Sequence, residues 1–170
     1  MTISMHAASA SQCSHMLRSL LTWLNKAETH ADAKGFPSAN YLPMRLAPDM
    51  LPFTQQVVIA CEIARTCVAK LAGVDMPAWT GGADDSLQAL GARVHDAVAF
   101  LESTTPGQLE GCASRAILLP QRKGDALQFT GETFLQRWAL PNFFFHVTTA
   151  YALLRHAGVN LGKADYLGTA

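Results

Sequence analysis

Hydrophobic positions recur with helical spacing in four long segments of the chain. Apolar residues three and four positions apart mark the buried face of an amphipathic helix, and polar residues fill the opposite face. The segments with this pattern are residues 4–31, 49–73, 85–101 and 131–157. The pattern therefore predicts an all-α fold.

Turn and capping residues set the expected starts of two of these helices. The second helix is predicted to begin near Asp49, with Pro52 tolerated in the first turn because its missing N–H would have no intrahelical partner. Asp85, followed three residues later by Gln88, matches a capping box. This pair predicts the start of the third helix.

The fourth helix contains a proline and ends at a glycine. Pro141 lies in its interior and is expected to kink the helix or divide it in two. Gly158 is expected to end the helix in a left-handed conformation, with Val159 folding back on Leu154 as in a Schellman motif.

The period changes from helical to alternating between the third and fourth helices. Ile117 and Leu119 stand before a polar stretch, and Leu127 and Phe129 follow it, which predicts a small hairpin. The prediction is therefore a single domain over residues 1–170. It is a four-helix bundle with a small hairpin or extended insert before the last helix.

One uncharged run stands out within the last helix. Residues 138–154 contain no Asp, Glu, Lys or Arg. Seventeen residues is the lower limit for crossing a bilayer core of ~30 Å, and five of these positions are Pro, Asn, His or Thr. We therefore expect no membrane span, but the central helix of a soluble bundle. His146 lies inside this run and must be either a functional group or a buried polar group with a partner.

Composition narrows the function classes. Lys plus Arg equal Asp plus Glu at 13 each, and no window holds a basic cluster, so nucleic acid is not an expected partner. The chain is 49% apolar and only 15% charged, which favours an oligomer. The amino terminus has neither a basic start nor a continuous apolar stretch, so we expect a cytoplasmic protein. The four cysteines show no CxxC spacing and are expected to be reduced.

Three stretches of sequence resemble a known family. They are "LAPDMLPFTQQV" (46–57), "KLAGVDMP" (70–77) and "LPNFFFHVTTAYALLRHAGVNLGKADYLG" (140–168). They resemble an uncharacterised family of small bacterial proteins within the DinB/YfiT-like superfamily of four-helix bundles. The resemblance implies that fold and a tendency to form homodimers, but no settled activity.

The superfamily also implies a specific metal site. Many members hold a divalent metal with three histidines, one from the second helix and two spaced four apart on the last, and some are metal-dependent thiol transferases. Set against that pattern, the three positions in this chain are Gln56, Asn142 and His146. One imidazole and two neutral amides are weak donors for such an ion, so a divalent metal is not favoured. We expect a buried hydrogen-bonded cluster of these three residues, with a metal site or a metal-free small-molecule pocket as alternatives.

Two functions of different class remain open. One is a non-catalytic dimeric bundle whose polar cluster fixes the packing. The other is a divergent metal-dependent or small-molecule (thiol) transferase-type enzyme with His146 as its catalytic residue. An open pocket beside His146, lined by Phe143, Phe145 or Tyr151, favours the enzyme, whereas a dry and satisfied cluster favours the bundle.

The remaining histidines have simpler interpretations. His156 stands in the last turn of the fourth helix, where positive charge complements the helix dipole. His15 is expected at the surface. His6, His30 and His95 are assigned to solvent.

The carboxy-terminal "GVNLGKADYLG" superficially resembles a phosphate-binding loop. Three residues separate Gly158 from Gly162, where the phosphate-loop motif has four. Ala164 replaces the hydroxyl that binds magnesium, and no helical pattern follows. We expect instead a tail that folds back over the bundle. Its expected anchors are Leu161, Tyr166 and Leu167. Lys163 and Asp165 are expected to pair with each other or with the bundle.

Overall fold

Helices account for most of the computed structural model, which describes residues 3–80, 82–121 and 123–169. The elements in chain order are α1 (Gln12–Lys34), α2 (Phe53–Ala72), α3 (Leu87–Ser103), β1 (Ala116–Leu119), β2 (Leu127–Thr130), α4 (Gly131–Phe134), α5 (Leu140–His156) and α6 (Lys163–Leu167). Two π-helical turns, at Ala7–Ser11 and Leu135–Ala139, precede α1 and α5. The predicted all-helical bundle is confirmed.

The four long helices enclose the main core. Helix α2 packs against α5 and α3, and α1 packs against α3 and α5. The largest fully buried side chains of this core include Trp23, Phe53, Phe143 and Leu154. Burial of side chains of this size contributes roughly 1.5–3 kcal/mol each relative to exposure. Among the residues described, no helix combines the length and apolar character that a membrane span needs.

The predicted hairpin is also confirmed. Strands β1 and β2 pair antiparallel, with Ile117 opposite Phe129 and Leu119 opposite Leu127. Ile117 and Leu119 are buried in a second, smaller core that also contains Phe134. The alternation that predicted the hairpin therefore arises because one face of β1 covers this core.

Helix α2 begins at Phe53, so the predicted start near Asp49 is wrong. Pro52 has extended backbone angles and forms the amino-terminal boundary of the helix. The Phe53 N–H donates to the carbonyl of Met44 at 2.8 Å, which ties the helix start to the preceding loop. This tertiary bond holds the chain extended before Phe53.

The capping box predicted from Asp85 and Gln88 is wrong as well. The cap is Ser86, whose hydroxyl accepts from the Ala89 N–H at 3.1 Å. The Gln88 amide instead bonds the carboxylate of Glu28 on α1, so it is not available to complete a box. The contact of Gln88 with α1 therefore replaces the capping contact that was predicted within α3.

Pro141 does not divide the last long helix. The backbone stays helical from Gly131 to His156, and the π turn Leu135–Ala139 lies immediately before α5. A π turn shifts the hydrogen-bond partners of one turn by a residue, and π turns and prolines are both recognised points at which a helix bends. Of the two expected outcomes, division of the helix is therefore wrong, and a kink at Pro141 stays a prediction.

The end of α5 follows the predicted Schellman arrangement. Gly158 has φ 93°, in the left-handed region. The Val159 N–H donates to the carbonyl of Leu154 at 3.1 Å, and the Val159 side chain is buried. Gly158 therefore lets the chain turn back and cover the bundle.

The tail forms a short helix, α6, that the sequence pattern did not predict. The Asp165 carboxylate accepts from the Gly162 N–H at 2.7 Å and pairs with Lys26 of α1. The Trp23 indole N–H donates to the Asp165 carbonyl at 3.0 Å, and Tyr166 stacks on the Trp23 ring. Asp165 thus pairs with the bundle rather than with its neighbour in sequence.

Of the three predicted tail anchors, two hold. Leu161 is buried, and Tyr166 is partly buried against the aromatic cluster of α1 and α5. Leu167 is exposed, so its anchoring role is wrong. Its carbonyl, rather than its side chain, makes the contact, accepting a bond from His15 at 2.8 Å.

Candidate functional site

His146 lies on α5 where that helix packs against α2. Its Nδ1 atom is 2.7 Å from the Oε1 atom of Gln56, which stands in the first turn of α2. Gln56 is 1% exposed and His146 is 9% exposed. Both side chains stand on apolar helix faces, so packing of α2 on α5 brings the two polar groups together away from water.

The hydrogen-bond chain at this site determines which ring nitrogen carries the proton. The Gln56 Nε2 atom donates to the main-chain carbonyl of Leu51 at 2.9 Å. A carbonyl only accepts, so the amide nitrogen faces Leu51 and the amide oxygen faces His146. The oxygen accepts in turn, so Nδ1 of His146 is the N–H donor. The lone pair of the neutral ring is therefore on Nε2.

Burial keeps this imidazole in its neutral form. Desolvation lowers the pKa of His146 below its ordinary value, because an imidazolium loses hydration in the bundle. Among the described residues, Nε2 makes no hydrogen bond. The ring thus presents a neutral acceptor of fixed orientation.

Asn142 is not joined to this pair. It lies one turn before His146 and is half-buried, and its side chain makes no hydrogen bond to another described residue. The hydroxyl of Thr149, another expected partner, donates to the Phe145 carbonyl of its own helix at 2.7 Å. The structure therefore brings Gln56 and His146 together and leaves Asn142 apart. It gives no bond from His146 to Thr149 or to the backbone near Ala150.

One exposed aromatic ring borders the site. Phe145 is 55% exposed, and its ring meets the His146 ring edge-on with centroids 5.2 Å apart. Leu51, whose carbonyl ends the hydrogen-bond chain, is 45% exposed. No sequence pattern marks Leu51, because its contribution is a main-chain oxygen.

The aromatic residues expected to line a pocket are arranged differently. Phe143 is fully buried in the core, and Tyr151 packs edge-on against Trp23 with ring centroids 5.3 Å apart. Five pronounced surface cavities among the described residues have no wall formed by His146. Of the expected aromatic residues, only Phe145 borders the histidine while exposed to solvent.

The donors at the site do not suit a transition-metal ion. Gln56 already uses its amide oxygen to accept from the imidazole and its amide nitrogen to bond Leu51. Asn142 supplies only a neutral amide, and zinc or nickel sites need thiolate, imidazole or carboxylate ligands. Among the described residues, no three His, Cys, Asp or Glu side chains are grouped to hold a metal ion.

Two other histidines differ from the solvent placement expected for them. His30 is half-buried, with Nδ1 2.6 Å from the Tyr41 hydroxyl, and His6 is half-buried, with Nε2 2.9 Å from the Thr104 carbonyl. His95 is exposed as expected, and His156 lies in the last turn of α5 as expected. The partner of His6 is 98 residues away in sequence, a distance at which helical periodicity carries no signal.

Comparisons with other proteins bear on the whole chain. The sequence model described as "Domain of unknown function (DUF1993)" matches residues 5–167. A crystal structure of a DinB family member from Shewanella denitrificans is 35% identical, with a TM-score of 0.85. The match covers 97% of this chain and 92% of that one. No curated protein matches the chain in sequence.

Proposed function

The chain belongs to the DUF1993 family and has the fold of a DinB family member, and on that premise we propose that it is a metal-independent small-molecule-binding bundle. In this proposal His146 is the central group of the site. Its Nε2 atom accepts a hydrogen bond or a proton from the bound molecule.

The observation that carries this proposal is the fixed tautomer of His146. The bonds from Nδ1 to Gln56 and from Gln56 to Leu51 hold the ring in one orientation with the lone pair on Nε2. Nε2 is not one of the buried side-chain atoms that lack a partner, so this atom reaches solvent at the edge of the interface, where a ligand can contact it. Nε2 has no protein partner among the described residues, so it is the atom that we assign to the ligand.

The surroundings favour an uncharged ligand with an apolar body. Residues 138–154 carry no charged side chain, so that stretch offers no ion pair to a carboxylate or a phosphate. Phe145 provides exposed apolar surface beside the imidazole. Asn142, one turn away and without a side-chain partner among the described residues, offers an amide for a second polar contact. A phenol or a neutral alcohol has this chemistry.

Nitrogen-detected NMR of the histidine-labelled protein tests the proposal. We expect His146 to show a protonated Nδ1, and we expect neutral phenols and alcohols to shift its Nε2 resonance while leaving that of exposed His95 unchanged. Gln56→Leu removes the acceptor of the Nδ1 proton, so both neutral tautomers of His146 should then be detected. A His146 ring with the proton on Nε2, or one that no compound of the panel perturbs, would contradict the proposal.

Metal independence has its own test. Protein purified without added metal should contain far less than one equivalent of zinc or nickel, and a chelator should leave the melting temperature unchanged. Stoichiometric metal that resists dialysis would instead support the metal-dependent transferase.

A homodimer in the cytoplasm completes the proposal. Only 15% of the residues are charged, and Leu118 and Leu127 of the hairpin are exposed apolar side chains that a second copy would cover. The four cysteines are free and buried, which suits a reducing compartment. Sedimentation equilibrium measures the mass in solution, and a monomer at micromolar concentration would contradict the dimer.

A further inference from the structure

A second histidine arrangement lies at the amino-terminal end of the bundle, independent of His146. The Nε2 atom of His6 is 2.9 Å from the carbonyl oxygen of Thr104, and the Ser11 hydroxyl is 3.3 Å from His6 Nδ1. A carbonyl only accepts, so Nε2 carries the proton of the neutral ring. Nδ1 is therefore the acceptor, and the Ser11 hydroxyl is the donor.

The π turn Ala7–Ser11 accounts for this pairing. In a π turn, residues five apart are brought into register, whereas on an α-helix the neighbours on one face are three and four apart. His6 and Ser11 are five residues apart. Single π turns are frequent at functional sites, and this turn creates a side-chain contact that an α-helix would not allow.

His6 and Ser11 open into a cavity of about 360 Å³. This volume lies at the lower end of the range for small-molecule sites. Leu101 contributes an apolar wall, and Arg18 contributes a cation. Glu102 holds the Arg18 guanidinium with contacts of 2.9 Å to Nε and 2.7 Å to Nη2. Ser11 is exposed, so its hydroxyl is accessible to a ligand in this cavity.

We propose that Ser11 and His6 form a nucleophile–base pair that transfers the acyl group of a small carboxylic ester. A hydroxyl bonded to an imidazole that a third group orients is the general arrangement of an activated serine. The Thr104 carbonyl is that third group here. It keeps Nδ1 free to receive the serine proton.

The bonds and protons balance in two steps. The Ser11 oxygen bonds to the ester carbonyl carbon as its proton moves to His6 Nδ1, and the carbon–oxygen bond to the alcohol then breaks as that proton passes to the leaving oxygen. Water next attacks the acyl-serine with His6 as base, which releases the carboxylic acid and restores the hydroxyl.

Acetylation by p-nitrophenyl acetate tests the pair directly in the full chain. We expect release of p-nitrophenolate together with the mass of one acetyl group on the intact protein, mapped to Ser11 by peptide sequencing. Ser11→Ala and His6→Gln should each slow the reaction about 100-fold, the lower range for loss of a general base. Ser103→Ala and His95→Gln serve as matched controls. They alter an exposed serine and an exposed histidine of α3 outside the cavity, and should react at the wild-type rate.

Thermal melts of every variant ensure that lost reactivity is read only from folded protein. An acetyl group on a lysine or on another serine would overturn the proposal, and so would a folded Ser11→Ala variant that reacts as fast as wild type. Wild-type protein that neither releases p-nitrophenolate nor becomes acetylated would overturn it as well.

Discussion

His146 and His6 are each oriented by an N–H···O bond to a distant part of the chain, but they occupy opposite environments. His146 bonds the side chain of Gln56 across a buried helix interface. His6 bonds the carbonyl of Thr104 and stands at the wall of an open cavity. The same bond type therefore couples one ring to the stability of the bundle and holds the other where a ligand can reach it.

Burial decides which consequence follows. In the low-dielectric interface between α2 and α5, a lost partner leaves a polar atom without water, so the energy of folding is affected. At the cavity wall, solvent replaces a lost partner, so the effect on folding is small. Substitutions at the two histidines therefore test the comparison directly.

The largest expected effect is that of His146→Leu. The substitution strands the Gln56 amide oxygen in the interface, which should lower the free energy of unfolding by about 1–3 kcal/mol. Urea melts measure the change. The matched control is Asn142→Leu, one turn away and without a side-chain partner among the described residues, for which we expect a change within about 0.5 kcal/mol. Equal effects from the two substitutions would remove the basis for the buried pair.

A double substitution sharpens the interpretation. In His146→Leu with Gln56→Leu, no amide oxygen remains stranded, although the Leu51 carbonyl loses its donor. Part of the loss should therefore be recovered relative to the single variant. If the double variant loses more free energy of unfolding than the two single variants together, the pair contributes to stability in another way.

An intermediate effect is expected in the pH dependence of stability. The pKa of His146 is lowered in the folded protein relative to its ordinary value of 6.5, so near and below that pH the unfolded chain binds more protons. The free energy of unfolding should therefore rise with pH through this range and fall on acidification. On acidification from about pH 8 to about pH 5, the urea midpoint should fall more steeply for wild type than for His146→Leu. Parallel curves would mean that the ring does not titrate differently on folding.

The smallest effect is expected for His6→Gln. It removes a bond to the Thr104 carbonyl at a partly exposed position, so unfolding should become easier by about 0.5–1 kcal/mol, the lower range for one hydrogen bond. Urea melts beside those of His146→Leu give the contrast. A loss as large as that of His146→Leu would show that His6 is a structural residue of the bundle, and would reverse the comparison.

Local pattern was sufficient for much of the architecture. The helical spacing predicted the long helices, the alternation around Ile117 and Phe129 predicted the hairpin, and Gly158 predicted the turn after α5. These features depend on residues within a few positions of each other, where periodicity and backbone preference act directly. The resemblance in residues 140–168 led to the family and to the position of His146.

Helix boundaries and polar partners needed the tertiary structure. The Gln88 amide bonds Glu28 instead of completing a helix cap, and the Asp165 carboxylate pairs with Lys26 instead of Lys163. Gln56 was expected near His146 from the family pattern, but neither its bond to the Leu51 carbonyl nor the separation of Asn142 could be predicted. Each of these outcomes depends on where another element comes to rest.

The sequence by itself determined which segments are helical, where the uncharged core helix lies, and that a single imidazole stands where the superfamily has more. Only the tertiary structure decided which nitrogen of His146 carries its proton, and that a π turn sets Ser11 against His6. The physical reason is one of range. Secondary structure follows from hydrophobic spacing and backbone sterics within a few residues, whereas the direction of a hydrogen bond depends on a donor and an acceptor that packing brings together from 90 residues apart.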